Sequence, residues 1–552
     1  MRYKGDAMSI LLDPDNYESV KPKINSMAIV GHTSCAEVKL WARAYKAGKW
    51  WMLVSEEKLK EAVYSLSGKS PEAIDKEHSY VVGLKNKVFR EDEGLLACFN
   101  FDDLLPDKKY YYYLIGDETC ERRVELGGDH KYCFRTLPEQ MSSLRFGFYS
   151  CHDPYSFKPS SEGAWESFYD VLIDRKAHFV VGGGDQVYCD TNKETHIQDV
   201  WGWLKDNKKA LIDKYSDASD KLDEKGLVEY FVKLYRTYYR VYWNFENLRA
   251  VYRRFPQYMI WDDHEIMDGW GSLTQNEREE KLARMLRDDE PEKDYQLVML
   301  MFRAASQVYW EYQHSHNPST KLNLENLDET QWDYGFEHGD FAFYALDLRG
   351  HHDCERDTYK LLGKAQFERF KAWMTSRKIA SKKAVFIISP VPVVHWNEKV
   401  ANIFDVGSVK DDFMDEWGHE TNHDERKKFL DLLLKISDKH QIPIIILSGD
   451  VHCASAYRIT HSSKYSKANL FNVTSSAISR SPAPSLATIA MQRSAKISGY
   501  DGEFEQLYTV AGKNNFALIN ADTWDGELTI GAHLYRCGSE GDDLHQKYIN
   551  LV

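Results

Sequence analysis

No CxxC pair occurs anywhere in the 552 residues, and the nine cysteines, at 35, 98, 120, 133, 151, 189, 354, 453 and 537, are odd in number and scattered. Neither a disulfide framework nor a structural zinc knuckle is indicated, and a reducing compartment is the simpler inference. No stretch approaches the roughly 20 apolar residues needed to cross a bilayer, and Met1-Arg2-Tyr3-Lys4-Gly5-Asp6 leads into no adequate apolar run. A cytoplasmic protein without membrane insertion is expected. Positive charge is in deficit as well: 71 Lys and Arg stand against 85 Asp and Glu, a net charge of −14. Such a surface repels polyanions, which disfavours extended nucleic acid as a partner, although a local cationic centre still attracts a small phosphate ester. Internal repeats and low-complexity runs are missing too.

What is present is apolar and aromatic mass. Hydrophobic residues make up 43% of the chain and aromatics 13%, with 34 Tyr and 15 Trp, enough for a large core. The length exceeds what one small core uses, so two structural units are expected. Residues 25–138 read as short strands separated by turns, around Val38–Trp41, Trp50–Val54, Tyr80–Leu84, Tyr110–Ile115 and Tyr132–Arg135, the pattern of a β-sandwich. The Ser55–Leu66 stretch reads as a helical insertion.

Residues 142–552 alternate apolar strands with helical segments. Phe146–Tyr149, Phe179–Val181, Tyr258–Trp261, Phe341–Leu346, Ala384–Ile388 and Ile444–Leu447 are the strands. Phe367, Phe370 and Met374 share one helical face, as do Leu430, Leu433 and Leu434. The fold class is therefore α/β, with ligands gathering at the carboxyl ends of strands. Segments near 191–256 and 272–333 are too long for ordinary connections and read as helical insertions framing a cleft.

Strand ends carry the chemistry. Ile444-Ile445-Ile446-Leu447-Ser448 runs into Gly449-Asp450-Val451-His452; Phe179-Val180-Val181 runs into Gly182-Gly183-Gly184-Asp185-Gln186-Val187-Tyr188. Tyr258-Met259-Ile260-Trp261 leads into Asp262-Asp263-His264-Glu265, and Tyr149-Ser150-Cys151-His152-Asp153 follows the first strand. One Gly-Asp means nothing, but its recurrence suggests one site assembled from distant segments. A dinuclear hydrolytic site needs a carboxylate bridging two cations roughly 3.5–4 Å apart, with further oxygen, nitrogen or sulfur ligands.

These pieces, with Leu346-Asp347-Leu348-Arg349, resemble the PhoD-like branch of the calcineurin-type metallophosphoesterases. Trp41-Ala42-Arg43 and Phe134-Arg135-Thr136-Leu137-Pro138 look like the limits of that family's fibronectin-III-like N-terminal domain. The resemblance implies a four-layer α/β/β/α core, with Asp185 bridging two metals. Cys151, Tyr188 and His452 complete one metal; Asp263 and Asp450 hold the other. Thiolate and phenolate suit Fe³⁺, and oxygen-only ligation suits Ca²⁺, with Mn²⁺, Mg²⁺ or Zn²⁺ as substitutes. His264 is then the catalytic group at the leaving oxygen, and Arg349 a clamp on phosphate oxygens, unless it pairs with Asp347 or Asp353. His152, Asp153, His395 and Asn397 are weaker candidates for the cleft wall, while His419, His423 and Asp424 read as a solvated loop. The implied activity is phosphoric-ester hydrolysis, on mono- or diesters, by in-line attack of a metal-bridged hydroxide. The alternative is a non-catalytic binding scaffold on the same fold.

Overall fold

Continuous apolar strands, rather than alternating ones, build the centre of the protein in the computed structural model, because both faces of its main sheets are covered. The structure describes residues 26–59, 79–116, 124–127, 131–157, 160–191, 199–287, 290–395, 416–484, 491 and 494–552. Asn397, residues 60–66 of the expected helix and the N-terminal Met1–Asp6 lie outside them.

Strand Ser143–Tyr149 runs parallel to Phe179–Gly183, which runs parallel to Gln257–Ile260. Antiparallel Asn514–Trp524, Glu527–Cys537 and His545–Asn550 complete a six-stranded sheet on the other side. A second sheet of eight strands has four parallel neighbours, Phe341–Ala345, Ala384–Ser389, Ile444–Ser448 and Leu470–Ser475. Antiparallel Tyr334–His338 flanks it at one side, and Ala454–His461, Gly502–Val510 and Ser494–Lys496 at the other.

The two sheets meet through aromatic rings. Phe146 packs edge-on against Phe343 and Phe386 at 5.4 and 5.2 Å, and Phe179 against Phe343 at 5.4 Å. Each fully buried ring contributes roughly 1.5–3 kcal/mol, so the strands that carry the site are held firmly. Helices Gly363–Met374 and His423–His440 lay Phe367, Phe370, Phe429, Leu430 and Leu433 on the far side of the eight-stranded sheet, against Tyr344, Val385, Ile387, Ile444 and Ile446. Helix Trp165–Asp174 covers the six-stranded sheet, with Phe168 4.9 Å from Phe516. That helix was not read from the sequence.

The N-terminal strands form two antiparallel sheets, one of Met27–Thr33, Val38–Arg43 and Leu96–Phe101, the other centred on Gly48–Ser55 and Lys109–Gly116. Val30, Leu40, Trp50, Met52, Phe99 and Tyr112 make one apolar cluster between them. This unit is tied to the rest by buried polar contacts: Trp41 Nε1 donates to the Glu311 carbonyl and Tyr112 OH to the Arg253 carbonyl, both at 2.7 Å. The two long insertions are helical, with Val200–Tyr215, Glu224–Tyr242 and Glu246–Tyr252 in the first and Gln275–Leu286 and Pro291–Tyr312 in the second.

Candidate metal centre

Four side chains of ligand type sit two to four residues beyond the ends of three parallel strands, each in the left-handed backbone region: Cys151 (φ 58°), Asp185 (φ 58°), Asp450 (φ 65°) and His452 (φ 52°). A non-glycine residue held there costs of order 1–3 kcal/mol, a strain that concentrates at functional sites. The turn before Asp185 needs Gly184, at φ 106°, since a Cβ there would stand 2.8 Å from the Cβ of Asp262.

These turns bring the side chains together. The Cys151 thiol donates to Asp185 Oδ2 at 3.3 Å, and Tyr188 OH donates to the same oxygen at 2.8 Å. Tyr188 OH is also 3.2 Å from His452 Nε2. Potential ligand atoms of Cys151, Asp185 and His452 lie within 4.8 Å of one another, as do those of Asp185, Asp262 and Asp450, and of Asp185, Asp263 and His264. Asp185 is common to all three groups. Its Oδ1 is buried with no hydrogen-bond partner, and so is Asp262 Oδ2. Orphaned buried carboxylate oxygens are costly unless a cation meets them.

The electrostatics make the same case. Burial pushes the Asp185 carboxyl up, and burial together with Asp185 pushes Glu265 to about 8. Asp263 behaves oppositely. Burial opposes its charge, but Arg349 and His264 hold it at about 2, and it accepts from the His264 and Gly269 amides at 3.0 and 2.7 Å. It is thus held ionised, the form a hard cation would require. Thiol, phenol, imidazole and carboxylates at one focus fit a metal site with a softer and a harder side.

His264 has a partner that went unread in the sequence. Its Nδ1 is 2.7 Å from Asp190 Oδ1, which leaves Nε2–H as the outward donor. Although burial opposes the charge, Asp190, Asp263 and Asp185 hold the imidazole well above its ordinary value. The Tyr188 ring lies 4.1 Å from it, centre to centre. Glu265 follows His264 in the chain. Its carboxylate accepts from the amides of Asp185, Gln186 and Asp262 and from Gln313 Nε2, which locks two strand ends to the end of the Pro291–Tyr312 helix.

Arg349 is held among carboxylates. Its guanidinium is 1% exposed and donates through Nε to Asp262 Oδ1, with Nη2 3.7 Å from Asp263. The guanidinium thus engages Asp262 and Asp263, while the backbone amide of Arg349 donates to Asp347 Oδ1 at 3.0 Å. Arg480, which the sequence reading passed over, is the accessible cation: its side chain is 20% exposed, ion-paired to Asp153 at 2.6 Å and stacked 4.6 Å over the Tyr188 ring. His152 is not on a cleft wall either. Its Nε2 donates to the Tyr242 carbonyl at 2.7 Å, its Nδ1 accepts from Trp165 Nε1 at 3.0 Å, and burial lowers it to about 4. His395 is likewise buried, against Ser455 and Cys453. His423 opens a helix and bonds the Gly418 carbonyl.

A mixed α/β core here brings thiol, phenol, imidazole and carboxylate groups together at strand ends, an arrangement able to hold metal ions. Over residues 146–527, well over half its length, the chain matches the PhoD-like phosphatases, and it belongs to that family. It is 23% identical to an uncharacterised protein of Saccharomyces cerevisiae, covering 84% of this chain and 74% of that one. It is 24% identical to alkaline phosphatase D of Bacillus subtilis over 64% of this chain, and the match spans 53% of the Bacillus protein. A solved structure of PhoD superposes with a TM-score of 0.62 at 14% identity, covering 95% of this chain and 88% of that one, which shows the shared fold. Among the described residues no helix is long and apolar enough to cross a membrane.

Proposed function

We propose that this chain is a metal-dependent phosphoric-ester hydrolase acting on small phosphate mono- or diesters. The observation that carries the reading is the convergence on Asp185 of Cys151, Tyr188 and His452 from one side and Asp262, Asp263 and Asp450 from the other. Cys151, Asp185, Tyr188 and His452 would hold a ferric ion, and Asp185, Asp263 and Asp450 a hard divalent ion such as Ca²⁺. Cations in such a site supply Lewis acidity and bring water ionisation toward neutrality.

The chain's own groups do the rest. Asp190 accepts from His264 Nδ1–H and keeps the imidazole charged, so its Nε2–H is positioned to give a proton to the departing ester oxygen. Arg480 faces the non-bridging oxygens with a planar fork, while Arg349 holds Asp262 and Asp263 in place from behind. The same reading describes residues 142–552 as a four-layer α/β/β/α core and 25–138 as a fibronectin-III-like domain.

The test pairs two variants. Asp185→Asn is expected to lose bound metal and hydrolysis of p-nitrophenyl phosphate together; His264→Ala is expected to keep metal and lose about 10²–10⁴-fold in kcat. Elemental analysis of untreated protein, with p-nitrophenyl phosphate compared against its bis ester, reads both arms. Full turnover by metal-free Asp185→Asn would refute the proposal.

A further inference from the structure

A second pocket lies at the opposite end of the same strands. A cavity of about 480 Å³ is lined by Arg135, Arg145, Lys176 and Arg254, with His178 beside them, over an apolar floor that includes Leu172 and Phe255. Among the described residues Asp107 is the sole acid in its wall, so that lining carries four cations against one carboxylate. That balance is the reverse of the whole chain, whose net charge is −14.

The location separates it from the metal centre. Arg145 stands near the start of Ser143–Tyr149, His178 immediately precedes Phe179–Gly183, and Phe255 precedes Gln257–Ile260. Cys151, Asp185 and Asp263 follow the far ends of those strands, roughly 15–20 Å away at about 3.3 Å per residue. Asp107 lies in the turn before Lys109–Gly116 and Arg135 ends strand Cys133–Arg135, so the cavity lies between the N-terminal strands and the α/β core.

The cations are only partly satisfied. Arg135 pairs with Asp107 at 2.7 Å, Arg145 with Asp522 at 3.4 Å, and Arg254 donates to Tyr169 OH at 3.2 Å. Lys176 has no ion pair among the described residues. His178 Nδ1 lies 3.0 Å from the Arg145 amide and 3.2 Å from the Arg145 carbonyl, which ties the ring to the start of that strand. Burial lowers its pKa.

We infer that this cavity binds a small, multiply charged phosphate-bearing molecule. The volume suits a ligand of that size. The lining's surplus of three positive charges, two once Asp522 beside Arg145 is counted, favours a dianion over a monocarboxylate, and planar guanidinium forks match phosphate oxygens. The apolar floor accepts a compact organic body.

The probe is inorganic pyrophosphate, titrated calorimetrically into the full chain in excess chelator so that metals do not contribute. One equivalent is expected to bind, more weakly as salt rises. Lys176→Gln should weaken it several-fold and Lys176→Glu more than tenfold, with p-nitrophenyl phosphate turnover of the metal-loaded variants within about twofold of wild type. No heat, or binding indifferent to both substitutions, overturns the inference. Either result leaves the reading of the metal centre intact, since neither variant touches it.

Discussion

At the scale of single residues, two arginines near the carboxylate cluster sit in different surroundings. Arg349 follows a core strand and looks like a phosphate clamp, yet it is sealed against Asp262, and removing it strands a buried carboxylate. Breaking such a pair costs about 3–5 kcal/mol. Arg349→Met should therefore lower Tm by many degrees even in chelator-treated protein, and an unchanged melting curve would show that the pair is dispensable. Arg480 is one-fifth exposed, and Arg480→Lys, which keeps a charge beside buried Asp153 but not the planar fork, should raise KM for p-nitrophenyl phosphate about tenfold while Tm moves little. Steady-state kinetics beside a melting curve separates the two. Glycine at 184 is equally specific. With φ at 106° and Asp262 2.8 Å from a notional Cβ, Gly184→Ala should displace Asp185 and reduce metal content, which elemental analysis reads directly.

At the scale of elements, the turn after each strand positions the ligands, and one carboxylate coordinates two of those turns. Glu265 gathers three backbone amides and the Gln313 amide group, so its acceptors are all occupied. Glu265→Gln puts a donor where acceptors are needed and is expected to weaken metal binding 10–100-fold, with far-ultraviolet circular dichroism unchanged. Equal affinity in a metal titration would remove Glu265 from the positioning role. Strand ends were legible in the sequence because apolar runs stop abruptly at Gly-Asp, Cys-His or Asp-Asp. The helices with three-four spacing, such as Gly363–Met374 and His423–His440, were legible for the same reason. Asp190 and Arg480 were not, because neither ends an apolar run; their partners, His264 and Asp153, lie 74 and 327 residues away and only tertiary packing joins them. The Asp262 partner of Arg349 was not legible either, since spacing says which face a side chain takes, not which carboxylate meets it.

At the scale of the whole molecule, the two units meet on histidines that burial keeps neutral. His32, from the first N-terminal strand, and His338, from the edge of the eight-stranded sheet, each bond Tyr258 OH at 3.1 Å. Burial, helped by Lys39, lowers His32 to about 4; burial, with His32, His178 and Lys382 nearby, lowers His338 well below its ordinary value. Such groups take up protons in the unfolded chain before the folded one. Their contribution is whole above pH 6.5 and falls with pH through the window down to about 4, by up to about 1.4 kcal/mol per pH unit for each imidazole. Other buried groups titrate too, and Glu265, raised to about 8, acts in the opposite sense. The informative quantity is therefore a difference between proteins. His32→Asn/His338→Gln should be less stable than wild type at pH 8, having lost two hydrogen bonds. Because the variant carries neither titrating group, the gap should narrow steadily below pH 6.5. Denaturant midpoints of both proteins at pH 8, 7, 6 and 5 give the measurement. A gap of constant size across that range would mean these imidazoles do not govern acid stability, and that the joint between the units rests on its apolar and backbone contacts instead.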